Sequence, residues 1–363
     1  MKISVFESGK DRVSLVSFFG GMCFFLSLIE SLIPKPLPFL RLGIANLPVL
    51  LSLVYLSPEE FFLLGLLKVA GQGLYGGTFF SFVFLFSVTG TFSSMLVMFV
   101  LYRFFKKKDL ISFVGISLSG ALFSCITQSL LGTVMVFGEG IKYVFPLFLL
   151  SSGITGLILG IITEKIFCDS VFFCDLKGRL YLDSPSEITP DATKGEVFYS
   201  MVNAVFCLLF ILILVCAGSD ITKLMIFGLF LILNLIFPLR GRSFLWRVRR
   251  FVVVPFVTML FIVGINLCVP FGKVLLKSGF LTITEGALRE GIKRAVEFQG
   301  TVFISVFFFK GKIRLPGIFG RILGDSFLCF NRLFTRNRNF KLKGFSGEFD
   351  EFLTEAFGRS TGV

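Results

Sequence analysis

The sequence predicts an all-α, polytopic membrane protein, with about ten transmembrane helices divided between a six-helix first domain and a second domain of about four. Composition is the first reason. Of the residues, 55% are apolar and 16% charged, and the mean hydropathy is +0.88, against roughly 45–50% apolar and 25% charged in soluble domains. The second reason is spacing. Apolar runs close to the roughly 20 residues that cross a bilayer core recur along the chain, with short basic clusters between them.

Taken in order, the first-half runs are 13–33, 40–56, 61–75, 79–102, 110–137 and 142–167. The first is long for the apolar core of a signal peptide, and Pro34-Lys35-Pro36 follows it rather than a small-residue cleavage site, so it reads as a retained span. A polar stretch then carries Asp169, Asp175, Asp183, Glu187 and Asp191 with Pro185 and Pro190. Such a stretch breaks helices and stays out of lipid, which makes it a linker. The second-half runs are 201–217, 221–239, 251–271 and 284–309. The last of these opens with Glu285, Arg289, Glu290, Lys293, Arg294 and Glu297, a pattern that suits an interfacial or protein-buried helix. Beyond it the chain is basic. The expected organisation is therefore a substrate-binding membrane domain over 1–167, a cytoplasmic linker over 168–199, a second membrane domain over 200–309 and a basic cytoplasmic tail over 310–363.

Charge sets the expected orientation. Lysine and arginine exceed aspartate and glutamate by 36 to 23, a net +13. The excess lies in loop clusters, at Arg103 to Lys108 and at Arg240 to Arg250, on the same side as the tail. Positive loops face the cytoplasm, so both termini are expected inside, and nucleic acid is not an expected partner. The chain has no histidine, which excludes an imidazole-bearing zinc site, a Ser-His-Asp triad and a histidine proton relay. Its eight cysteines form no C-x-x-C pair and mostly sit in apolar runs, as small hydrophobes. Neither a metal nor a cofactor is expected. No G-x-x-x-x-G-K-[ST] occurs, so the chain carries no ATPase of this kind.

Polar side chains inside a span are costly and face a cavity or a partner. In the first half these are Glu30, Arg41, Asn46, Lys68, Gln72 and Gln128, the candidate substrate-binding residues. Lys68 and Gln72 are four apart and share a helix face, among glycines that permit close approach. Two readings stay open: that these groups line a ligand pocket, or that they pair with one another, Glu30 with Arg41 for example. Glu139 reads as an exposed loop residue.

Glu30-Ser31-Leu32-Ile33-Pro34 followed by Arg41-Leu42-Gly43-Ile44-Ala45-Asn46 resembles the Gx transporter family, also labelled heptaprenyl diphosphate synthase component I. The likeness runs over 13–167, and the family in turn resembles the six-helix S components of energy-coupling factor (ECF) vitamin transporters. From Met201 onward the chain is similar to the transmembrane T component, through Gly272-Lys273-Val274-Leu275-Leu276, Ile283-Thr284-Glu285-Gly286-Ala287-Leu288, Arg294 and Ser305. The resemblance implies a non-enzymatic importer subunit in the cytoplasmic membrane of a bacterium, binding a small vitamin-like molecule amid membrane lipid, with separate ABC-type ATPase subunits as partners. T components grip those ATPases through Ala-Arg-Gly, which is absent here. Gly320-Arg321 comes nearest, and with Arg314 it forms the candidate docking segment. The family's label implies a rival reading, an accessory subunit of a prenyl diphosphate synthase. No D-D-x-x-D cluster is present to hold magnesium against a diphosphate, so a catalytic role is not expected. A non-transporting membrane scaffold is the third reading.

Overall fold

The computed structural model describes residues 9–32, 43–105, 110–170, 172–173, 194–237, 249–278, 281–309, 317–335 and 353. Helix α1 (Gly9–Leu32) is the axis of the first half: Leu15, Phe18, Phe19, Met22 and Cys23 along it are all buried. Where a full span over 40–56 is expected, the described part is a 3₁₀ turn (Ile44–Asn46) and a six-residue helix, α2 (Leu47–Ser52). Six residues rise about 9 Å, far short of a 30 Å bilayer core. The cause is local. Gly43 takes a left-handed φ of +79° before the turn, Pro48 opens the helix, and all six residues are buried inside the bundle.

Serine starts the next three helices. Before α3 (Pro58–Gly76), Ser57 Oγ accepts from the Glu60 N–H and the Glu60 carboxylate accepts from the Ser57 N–H at 2.8 Å, a reciprocal cap that fixes where the helix begins. Ser81 caps α4 (Phe82–Phe104) and Ser112 caps α5 (Phe113–Gly132) in the simpler one-bond manner. A π turn (Thr133–Phe137) and a 3₁₀ turn (Gly138–Gly140) join α5 to α6 (Ile141–Asp169).

The second half holds α7 (Lys194–Cys216), α8 (Asp220–Ile236), α9 (Val254–Leu267) and α10 (Glu285–Phe308). An antiparallel hairpin, β1 (Val274–Ser278) and β2 (Leu281–Thr284), separates the last two and pairs Ser278 with Leu281 and Val274 with Thr284. The sequence reading did not foresee this hairpin. Gly272, at φ +87°, turns the chain out of the α9 direction, and the β-branched run Thr282-Ile283-Thr284 favours a strand. The class remains all-α with this one addition among the described residues.

The C-terminal segment contributes α11 (Gly317–Thr335), which runs alongside α1 in the same direction. Glycines make the contact possible: a Cβ on Gly20 would lie 2.6 Å from Ser326 Oγ, and one on Gly21 would lie 2.6 Å from the Cys329 Cβ. Phe24 and Phe327 meet at 4.8 Å between ring centres. Ile322, Leu323, Cys329 and Leu333 therefore belong to the same core as α1. A second core joins the halves, with Phe82, Val136, Phe137 and Val144 meeting Ile262, Ile265, Ala295 and Phe298. A third fills the second half and reaches Phe79 and Phe80.

Among the described residues, four helical stretches are long and apolar enough to cross a membrane: Arg12–Glu30, Phe82–Phe104, Phe113–Asp169 and Gly195–Cys216, with Phe251–Leu267 shorter. Large apolar side chains on α7, α8 and α9, such as Leu212, Met225 and Leu260, are exposed. Apolar groups of that size and number on an outer face are at home against lipid. The chain is a helical membrane protein.

Candidate functional site

The first half holds a cavity of about 110 Å³, enough for roughly seven to eleven waters at 10–15 Å³ each. Its walls come from the end of α1, the turn before α2, α3, α4, α5, α6 and the segment between α5 and α6. Glu30, Asn46, Lys68, Gln72 and Gln128 all line it. The structure thus brings five of the six sequence-nominated binding residues to one space. The sixth, Arg41, lies outside the described residues, as does Arg314 of the docking segment.

Each polar group is held in place. Lys68 is 4% exposed and donates from Nζ to Asn46 Oδ1, so the 3₁₀ turn carrying Asn46 is tied to the middle of α3. Glu30 is 6% exposed, and its Oε1 accepts from the Gly43 N–H at 3.3 Å. Gly43 is suited to this place: its left-handed φ admits glycine without penalty, and an added Cβ would sit 3.1 Å from the Asn46 amide nitrogen. Gln72 donates to Ser27 Oγ at 2.7 Å and Gln128 to Ser124 Oγ at 3.0 Å. Gly90 makes room for the second amide, since a Cβ there would fall 1.8 Å from Gln128 Nε2. Pairing and pocket-lining, opposed as alternatives in the sequence, are both present here. The pairs fix side chains that also front on empty space.

Hydroxyls extend the polar lining, with Ser87 and Thr91 on α4, Ser117, Ser124 and Ser129 on α5, and Ser151, Ser152 and Thr155 on α6. Phe86, Phe137 and Phe148 supply apolar walls. Sequence reasoning missed these hydroxyls, although Ser87, Gly90, Thr91 and Ser94 follow the i, i+3, i+4, i+7 spacing of one helix face. It also missed Phe298, which lines the cavity from α10 in the second half. Nothing in the sequence marks that contact, because it depends on how the two halves dock. Glu139 is exposed in its 3₁₀ turn.

The second half buries charge differently. Lys223 on α8 forms an ion pair with Glu297 on α10, their side chains 6% and 14% exposed. Arg294 Nε donates to Glu290 at 2.8 Å, and Arg289 pairs with Asp220 at 2.7 Å. The acidic and basic opening of α10 is thus paired partly with α8 and partly within the helix itself, which explains how so charged a segment forms one continuous helix. Gly320 and Arg321 of the candidate docking segment lie on α11, with Arg321 exposed. Among the described residues, no group of three histidine, cysteine, aspartate or glutamate side chains comes together to hold a metal ion.

Fold and site define a helical membrane protein with an internal cavity rich in amides and hydroxyls. Residues 19–166 match the family model for heptaprenyl diphosphate synthase component I, the family to which the Glu30 and Arg41–Asn46 motifs point. The first half is a membrane component related to that family. Residues 200–311 match a second model, described as a domain of unknown function (DUF8519). No curated protein and no solved structure matches the chain.

Proposed function

We propose that the chain is a membrane subunit of an ECF-type importer that binds a small organic, vitamin-like molecule in the first half and leaves ATP hydrolysis to separate subunits. One observation carries the reading: Glu30, Asn46, Lys68, Gln72 and Gln128, drawn from separate elements, converge on a single cavity. Small-molecule sites combine mostly apolar walls with a few placed polar groups, and this cavity sets phenylalanines against an ammonium, a carboxylate and three amides. In this reading Lys68 and Asn46 orient one polar edge of the cargo, Gln72 and Gln128 read another, and Arg41 joins them from the adjoining segment. In this reading the chain lies in the cytoplasmic membrane of a bacterium with both termini inside, as its basic loops favour, and Arg314, Gly320 and Arg321 serve docking.

A second reading is favoured by the family's name. A component I implies a further component, and the chain would then be a non-catalytic membrane partner of a prenyl diphosphate synthase. One experiment separates the two. The chain is purified from its native host in mild detergent, and co-purifying proteins and small molecules are identified by mass spectrometry. Paired ATPases with a bound small organic molecule, lost in Lys68→Met, are the expected result. A soluble prenyl synthase with no ATPase would overturn the importer reading in favour of the accessory one.

A further inference from the structure

We propose that the second half forms a movable closing wall of the first-half cavity, with Phe298 as the side chain that blocks access and limits the size of the cargo. Phe298 is 4% exposed, lines the cavity and stands 6.4 Å, ring centre to ring centre, from Phe82 at the start of α4. The wall around it belongs to both halves, because Val136 and Phe137, which also line the cavity, pack in the same core as Ile262, Ile265 and Ala295.

The contacts of the second half fall on two turns of the first, of which the α5–α6 segment lines the cavity. On the α3–α4 turn, Ser305 Oγ lies 2.8 Å from the Gly77 carbonyl and 2.5 Å from that of Phe79, and Thr301 Oγ1 accepts from the Phe82 N–H at 3.4 Å. On the α5–α6 segment, Asn266 donates to the Val136 carbonyl at 3.3 Å. Gly138 and Gly140 let Arg294 and Ile265 come so close that an added Cβ would clash with either.

The first of these turns is strained. Phe80 has φ +63°, a left-handed conformation that costs a bulky residue roughly 1–3 kcal/mol. Such a conformation persists where its surroundings hold it, and here Phe309 at the end of α10 packs against the rings of both Phe79 and Phe80, at 5.6 and 5.9 Å. A strained turn gripped by another domain is a two-position element: when α10 withdraws, the turn relaxes and the wall opens. Access to the cavity then follows the docking of the halves. The inference stands on the cavity and not on the identity of the cargo, so its failure and that of the importer reading are separate outcomes.

Cys125 provides the probe, since it lines the cavity. The full-length chain in detergent is treated with methanethiosulfonate ethylammonium, a small water-soluble thiol reagent, and modification is followed by peptide mass spectrometry. Cys23, fully buried and outside the cavity lining, is the internal reference. Phe298→Ala is expected to speed modification of Cys125 roughly tenfold while Cys23 is unchanged, because the open population of the wall rises. Ser305→Ala, which frees the turn but keeps the ring, is expected to speed it less. If Phe298→Ala fails to elute as a folded protein, Phe298→Leu takes its place with the same expectation. An unchanged rate at Cys125 in the folded variants would overturn the proposal. So would an equal acceleration at Cys23, which signals general loosening rather than a wall.

Discussion

Each half of this chain buries a lysine on a helix, and the two lysines stand in different surroundings. Lys223 meets the carboxylate of Glu297, and further along α8 Asn234 donates to the carbonyls of Phe230 and Phe303. Lys68 meets the neutral amide of Asn46 and fronts on a cavity. A buried charge must be matched by something. In the second half the lysine serves to bind two helices together; in the first, part of the polar surface also fronts on empty space.

That contrast is open to attack, beginning where the effect is largest. Lys223→Met leaves the Glu297 carboxylate in a dry environment without its partner, which costs about 3–5 kcal/mol. Thermal unfolding in detergent should drop sharply or the chain should fail to accumulate, while Lys223→Met combined with Glu297→Leu should recover most of the loss. A smaller penalty belongs to Gly71→Ala, whose new Cβ would lie 1.9 Å from the Phe24 ring. Overpacking of this kind costs about 1–3 kcal/mol and is read in the same unfolding assay. Gly90→Ala sharpens the comparison, because its Cβ displaces the end of a flexible glutamine rather than a ring. Stability should fall by no more than about 1 kcal/mol, whereas the small molecule recovered by mass spectrometry should decline, since Gln128 is pushed into the cavity. The least effect is expected from Leu212→Ala on the outer face of α7, within about 0.5 kcal/mol by unfolding midpoint. A large loss there would mean that this face is covered by something other than lipid.

Much of this molecule was legible in its sequence. Most of the helices were, because apolar length is imposed by the bilayer; α11 was not, since its segment reads as part of a basic tail. Five cavity residues were legible for a related reason: a lysine or glutamine inside an apolar run has few places to go. The short α2 was not, since a run of apolar residues looks the same whether it spans lipid or turns inward after a left-handed glycine. Nor was the ion pair of Lys223 with Glu297, whose members stand 74 residues apart and give no local sign of each other. Phe298 was hidden most completely, as one phenylalanine among 51, distinguished only by the cavity on its far side.

The packing of α11 on α1 bears on how the chain is made. Synthesis runs from the N-terminus, so α1 enters the membrane with the Gly20–Gly21 groove vacant, and the helix that fills it follows only about 300 residues later. Until then the six-helix portion lacks Ile322, Leu323, Cys329 and Leu333 from its core. Completion of the first-half core is thereby tied to synthesis of α11, and a chain terminated before that helix would expose its unfinished state to the proteases that police the membrane.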